Sequence, residues 1–82
     1  MKTLTAANIT EAEIRTLRHE ASDAGDAAQL IICDVALGEA EHDLADYALA
    51  PHERIAARAA LDMTQDEAQA ACAAAINDAR AQ

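Results

Sequence analysis

Ala27–Leu37, reading A-A-Q-L-I-I-C-D-V-A-L, is the stretch that decides how this chain folds. It carries Leu30, Ile31, Ile32, Val35 and Leu37, five of the few large apolar side chains in the sequence. By composition alone the run 30–33 reads equally as a buried strand or a buried helix. The flanks decide between them. Asp26 stands where an N-cap acceptor is needed, Gln29 completes a D-x-x-Q box, and Gly38 lies about three turns on, where a helix ends in the left-handed conformation. A helix that is apolar nearly all round belongs at the centre of its fold. Asp34 is the exception within it, and either faces solvent or meets an arginine.

Working towards the N-terminus, the junction Ala24-Gly25-Asp26 is so short that the preceding helix must turn back in a tight hairpin or corner. That helix starts with a T-x-x-E capping box, Thr10 and Glu13, and a hydrophobic staple between Ile9 and Ile14. Ile14, Leu17 and Ala21 share one face, with Glu11, Arg15 and Arg18 on the other side. Glu11 and Arg15 form a correctly oriented i, i+4 pair. Residues 1–8 have no periodicity and read as a flexible arm.

Working towards the C-terminus, residues 39–50 read as an amphipathic helix. Ala40, Leu44, Tyr47 and Ala48 form its apolar stripe, with Glu39, Asp43 and Asp46 opposite. Pro51 ends it. A short helix to Leu61 follows, with Ile55, Ala59 and Leu61 expected to point inward. Thr64 and Glu67 repeat the capping box before a last helix from Gln65 to about Ala79. Its inward face is expected to be Ala68, Ala71, Cys72, Ala75, Ile76 and Ala79. The expected fold is one all-α domain over residues 1–82, a small bundle of four to five short helices.

The chain has 82 residues, and 52% of them are hydrophobic, but most of that share is alanine, which favours helix while burying little area. Tyr47 is the sole aromatic residue. A core this thin usually needs outside support, and close approach of Ala-rich helices makes a homodimer the simplest source. Two cysteines, Cys33 and Cys72, match no ligand spacing and are expected to be free and buried. No secretory signal and no membrane-spanning run is read, so a cytoplasmic location is expected.

The formal charge is −9. From His19 to Glu53 nine acids occur without a single Lys or Arg: Glu20, Asp23, Asp26, Asp34, Glu39, Glu41, Asp43, Asp46 and Glu53. Direct nucleic-acid binding needs a basic footprint, which this pattern argues against. A basic partner surface suits it better, reached by electrostatic steering. On one helix, Glu39, Asp43 and Asp46 would project in a row at rises of about 6 Å and 4.5 Å, a spacing able to stand in for successive phosphates. Glu41, Asp23 and Asp26 extend the row into a candidate partner-binding patch. The competing reading is a solvated surface that serves solubility alone.

Chemistry finds little to build on. Neither cysteine has a histidine near it in sequence, although a fold could bring His19 or His42 close. His42 and Asp46 share a face at i, i+4 with Glu39 and Asp43 nearby, a pattern that also recurs by chance on acidic helices. There is no H-E-x-x-H, EF-hand loop or phosphate-binding glycine loop. No catalytic residue, cofactor or metal is expected, and the chain does not read as an enzyme.

The segment I-T-E-A-E-I-R-T-L-R-H-E-A-S-D-A-G-D-A-A-Q-L-I-I-C-D-V-A-L (9–37) and the tail E-A-Q-A-A-C-A-A-A-I-N-D-A-R-A-Q (67–82) carry a resemblance. They are similar to small helical proteins of bacterial plasmids, integrative elements and phages, which read I-T-x-x-x-I-x-x-L-x-x-E-A-x-x-A-G-D, then I-C-D-x-A-L, and end E-A-x-x-x-C-A-x-x-I-x-D-A. Residues 38–66 fall outside the resemblance. The matching positions are caps, core residues and the turn, so they bear on fold more than on a site. The setting implies an acidic, non-enzymatic inhibitor of a host defence complex, as anti-CRISPR proteins are, occupying a basic nucleic-acid-binding surface. The alternative is a structural or regulatory helical interaction module that acts as a homodimer and whose acidity serves only solubility.

Overall fold

A computed structural model describes residues 3–4, 9–41, 47 and 49–80. Among these residues the chain is all-α apart from one minimal ladder. Strands β1 (Thr3–Leu4) and β2 (Ile9–Thr10) pair antiparallel, with Thr3 opposite Thr10 and Leu4 opposite Ile9. Two residues of the expected N-terminal arm are thus hydrogen-bonded to the entry of the first helix. Helices α1 (Glu11–Ala24), α2 (Ala27–Leu37), α3 (Arg54–Leu61) and α4 (Gln65–Arg80) follow.

The helix boundaries have local causes. At α1 the Thr10 hydroxyl accepts the Glu13 amide at 3.2 Å, and the Glu13 carboxylate accepts the Thr10 amide at 3.0 Å. This reciprocal box satisfies two amides that a helix start leaves without partners. Gly25, at φ 72°, closes α1 in a conformation that side chains with a Cβ resist. Asp26 caps α2 by accepting the Gln29 amide at 3.2 Å. The box expected there is only half made. The Gln29 side chain points to Cys33 Sγ, 3.6 Å away, and the Asp26 amide donates to the Ala21 carbonyl instead. At α4 the box is complete, with Glu67 N–H to Thr64 Oγ1 at 3.1 Å and Thr64 N–H to Glu67 Oε1 at 2.8 Å.

Helix α2 is the centre of the fold, packed against α1, α3 and α4, while α1 and α4 touch only lightly. Its long apolar perimeter serves two cores. Ile9, Ile14, Cys33, Ala36, Ala68 and Cys72 are buried together on one side. Ile31, Ala57 and Ala60 are buried together on the other. Ile32 and Val35 border both.

Three sequence expectations fail, each for a physical reason. Residues 39–41, 47 and 49–50 are not helical, so the expected helix over 39–50 does not form at either end; residues 42–46 and 48, with Leu44 and Ala48, lie outside the described residues. After Gly38 the Glu39 amide donates back to the Asp34 carbonyl and the chain turns away. Pro51–Glu53 forms a single 3-10 turn before α3, whose inward residues are Ala57 and Ala60. Ile55, the expected core residue, is 85% exposed, and Ala59 is exposed with it. In α4 the buried face is Ala68, Gln69, Cys72 and Ala73, with Ala79 exposed. A helix made largely of alanine has no strong preference for which side faces inward, so packing sets its rotation.

Candidate functional site

The six acids of the candidate patch do not share one role. Glu39 lies outside any helix, so the expected helical row of Glu39, Asp43 and Asp46 is not built from it; Asp43 and Asp46, like His42, lie outside the described residues. Glu39 instead receives Arg15 through two contacts, Nη2 to Oε2 at 2.7 Å and Nη1 to Oε1 at 3.3 Å. Arg15 Nη2 also holds Glu11 Oε1 at 2.8 Å, so one guanidinium ties the chain after α2 to the outer face of α1. Asp26 is committed to its cap. Asp23 faces His19 one turn away at 3.4 Å, with both side chains exposed. Glu41 is exposed, and its amide donates to the Tyr47 hydroxyl at 3.2 Å.

Hydrogen bonds from Arg15 hold the Glu39 carboxyl below the usual carboxylate range, and the Thr64 amide and hydroxyl do the same for Glu67. A carboxyl depressed on folding stabilises the fold fully above its ordinary value of 4.5 and loses that contribution as pH falls through the depressed value. Denaturation midpoints should therefore drop on acidification from about pH 6 to pH 3, and Glu39→Gln should flatten part of that drop. An identical acid slope in Glu39→Gln would show that the Arg15 pair contributes nothing.

The most organised polar cluster is one the sequence only half revealed. Asp34 is 4% exposed in the middle of α2. Arg18 of α1 reaches it with Nε to Oδ1 at 2.5 Å and Nη2 to Oδ2 at 3.5 Å. The Tyr47 hydroxyl donates to Oδ2 at 2.9 Å and accepts from Glu41. Pairing with Asp34 raises the Arg18 pKa. Burial, reinforced by the hydrogen bond to Asp34, keeps the Tyr47 phenol protonated above its ordinary range. Each group here satisfies another, so the cluster is a tie between α1, α2 and the segment after α2. The sequence left Asp34 either facing solvent or meeting an arginine, and the structure gives the second. Nothing in the spacing pointed to Tyr47.

Gln69 was not expected at all in the interior. It and Gln65, one turn apart on α4, both donate to the Ala36 carbonyl, at 3.2 Å and 3.1 Å. Cys33 and Cys72, 39 residues apart in sequence, meet with their sulfurs 3.9 Å from one another. An apolar groove of about 480 Å³ runs between α1 and α4, with Leu17, Ala75 and Ile76 in its wall. Both hydroxyls in its lining are used within α1 and its cap: Thr16 donates to the Ala12 carbonyl at 3.0 Å, and Thr10 belongs to the capping box with Glu13.

Among the described residues, no group of three or more His, Cys, Asp or Glu side chains is placed to hold a metal ion. Among the same residues, no helix is long and apolar enough to cross a membrane. Comparison with protein-family models, with curated proteins and with solved structures finds no match to this chain.

Proposed function

We propose that this chain is a non-enzymatic acidic binding protein that occupies a basic, nucleic-acid-binding surface of a host protein. The single observation that carries this reading is where the cations go. On the N-terminal side of the cation-free window, Arg15 and Arg18 are both engaged by carboxylates of the same chain, Glu39 and Asp34, while Arg54 and Arg58 on its C-terminal side are exposed. Around that window, Glu20, Asp23 and Glu41 remain exposed with no Lys or Arg between them in sequence. Arg58 lies beside Glu41 in one surface pocket, so it is the acidic excess, not a surface of one sign, that steers a cationic face towards the chain. In this proposal Asp23, Asp26, Glu39, Glu41, Asp43 and Asp46 form the contact region, with Glu39 already held in place by Arg15. The setting is a mobile element acting in the bacterial cytoplasm, with an anti-CRISPR-like inhibitor of a host defence complex as the specific form. It rests on the sequence resemblance. The helices are read in the same proposal as one small closed bundle.

The test is capture of host proteins on the immobilised chain at low and high salt, followed by competition with DNA and RNA. The expected result is a nucleic-acid-binding protein retained at low salt, released by high salt, and displaced by nucleic acid. A combined Glu39→Ala, Asp43→Ala, Asp46→Ala variant should bind more weakly and with a shallower salt dependence. Undiminished binding by that variant would overturn the acidic-surface mechanism.

A second reading, a homodimeric helical module whose acidity serves solubility, draws on different observations. The α1–α4 groove is apolar, and Ile55 stands almost fully exposed on α3. It predicts that Ala75→Glu, in the groove wall, abolishes self-association while the acidic substitutions change nothing. Light scattering after size-exclusion chromatography separates the two readings.

A further inference from the structure

We propose that Cys33 and Cys72 are a dithiol redox pair, able to close into a disulfide that locks α2 to α4. They are the two cysteines of the chain, both are 0% exposed, and each comes from a different helix. Their sulfurs stand 3.9 Å apart with the Cys72 thiol directed at Cys33 Sγ. Side-chain rotation with a small approach of the helices brings such a pair towards the bonded separation of about 2.0 Å. The core that holds the two sulfurs combines Ile9 and Ile14 with the small Ala36, Ala68 and Ala73, and the alanines are the part of the wall that leaves room for that movement.

The geometry also assigns unequal roles. Cys33 Sγ accepts from Cys72 and from Gln29 Nε2, at 3.9 Å and 3.6 Å, and both contacts favour its thiolate. Cys33 is accordingly held below the usual thiol range, while donation to Cys33 and burial push Cys72 well above it. Cys33 is the attacking sulfur. The oxidant is a low-molecular-weight disulfide of the glutathione class. The Cys33 thiolate attacks one of its sulfurs, forming a mixed disulfide and expelling one thiolate. Cys72 then gives its proton to solvent and attacks the Cys33 sulfur, forming the internal disulfide and expelling the second thiolate. Two protein thiols lose two electrons and two protons, and one glutathione disulfide becomes two glutathione thiols. Because both sulfurs are buried, attack follows local opening. Ala75, Ile76 and Ala79, in the turns of α4 that follow Cys72, border the α1–α4 groove, so an opening there gives an oxidant the shortest approach along α4.

The experiment equilibrates the full chain across a series of reduced-to-oxidised glutathione ratios. Free thiols are then alkylated under denaturing quench, and intact mass is read. The expected result is joint loss of both thiols through one transition, in a monomer two hydrogens lighter, reversed by a dithiol reductant. The oxidised form should melt higher, by roughly 10 °C, because closing a long loop restricts the unfolded chain. Cys33→Ala and Cys72→Ala should each show neither the joint transition nor the rise. Should these variants fail to fold, the wild-type mass series decides alone. Both thiols staying free at every ratio, each taking glutathione independently, or disulfides forming only between chains would each overturn the proposal.

Discussion

Ile31→Ala should lower the stability of this domain by roughly 3 kcal/mol, the middle of the range for emptying a buried isoleucine site. Ile31 is 0% exposed and is the one large side chain among the fully buried residues of its core, where Ala57 and Ala60 face it from α3. Alanine methyls cannot move in to fill the space, so most of the cavity persists. For a domain of this size the whole margin is about 4–12 kcal/mol, and the loss takes a large part of it. Urea denaturation should show a lower midpoint at an unchanged slope. The control is Ile55→Ala, the same substitution at a site 85% exposed, which should stay within about 0.5 kcal/mol of the parent. Equal losses at both positions would mean that α3 packs through its other face.

Asp34→Ala should cost about 2 kcal/mol, by a different route. The substitution removes the acceptor of both Arg18 and Tyr47. Breaking a fully buried ion pair costs more, but the Arg18 side chain is 41% exposed and can turn to water. Asp34→Asn keeps an acceptor for Tyr47 and should recover part of the loss. Tyr47 is the one tyrosine of the chain and there is no tryptophan, so its ionisation can be followed by absorbance. Removing Asp34 should bring that titration down towards the ordinary phenol value, because an accepting carboxylate and its charge no longer oppose ionisation. An unmoved titration with unmoved stability would show that the Arg18–Asp34–Tyr47 cluster is incidental.

The parts of the fold that were legible in sequence are those governed by local chemistry. Thr10 with Glu13, Thr64 with Glu67, and the glycines at 25 and 38 act within one turn of themselves, and each appears where the pattern places it. The central place of α2 was legible too, because a helix without a polar face has nowhere else to go. Rotation of α3 and α4 was not. With alanine on several sides, the single Ile55 suggested an inward face that packing did not use. The described ends of the 39–50 segment misled in the same way, since a recurring apolar spacing was given more weight than the turn that Gly38 imposes. For the candidate patch, sequence could count acids but could not see their partners. Arg15 reaching Glu39 across 24 residues leaves no trace in spacing. The meeting of Cys33 with Cys72 is equally a product of tertiary packing.

The paired glutamines on α4 carry a consequence for axial alignment. A helix surfaced with alanine is nearly the same after sliding by one turn, so apolar contact alone leaves several registers close in energy. Gln65 and Gln69 remove that degeneracy. They converge on the Ala36 carbonyl, while the neighbouring carbonyls of Asp34 and Val35 are taken by the Glu39 and Gly38 amides. A slip of α4 by one turn would carry one of the two amides past the end of α2 and leave its partner alone on the carbonyl. The end of α2 thus acts as a fixed stop against which α4 is measured.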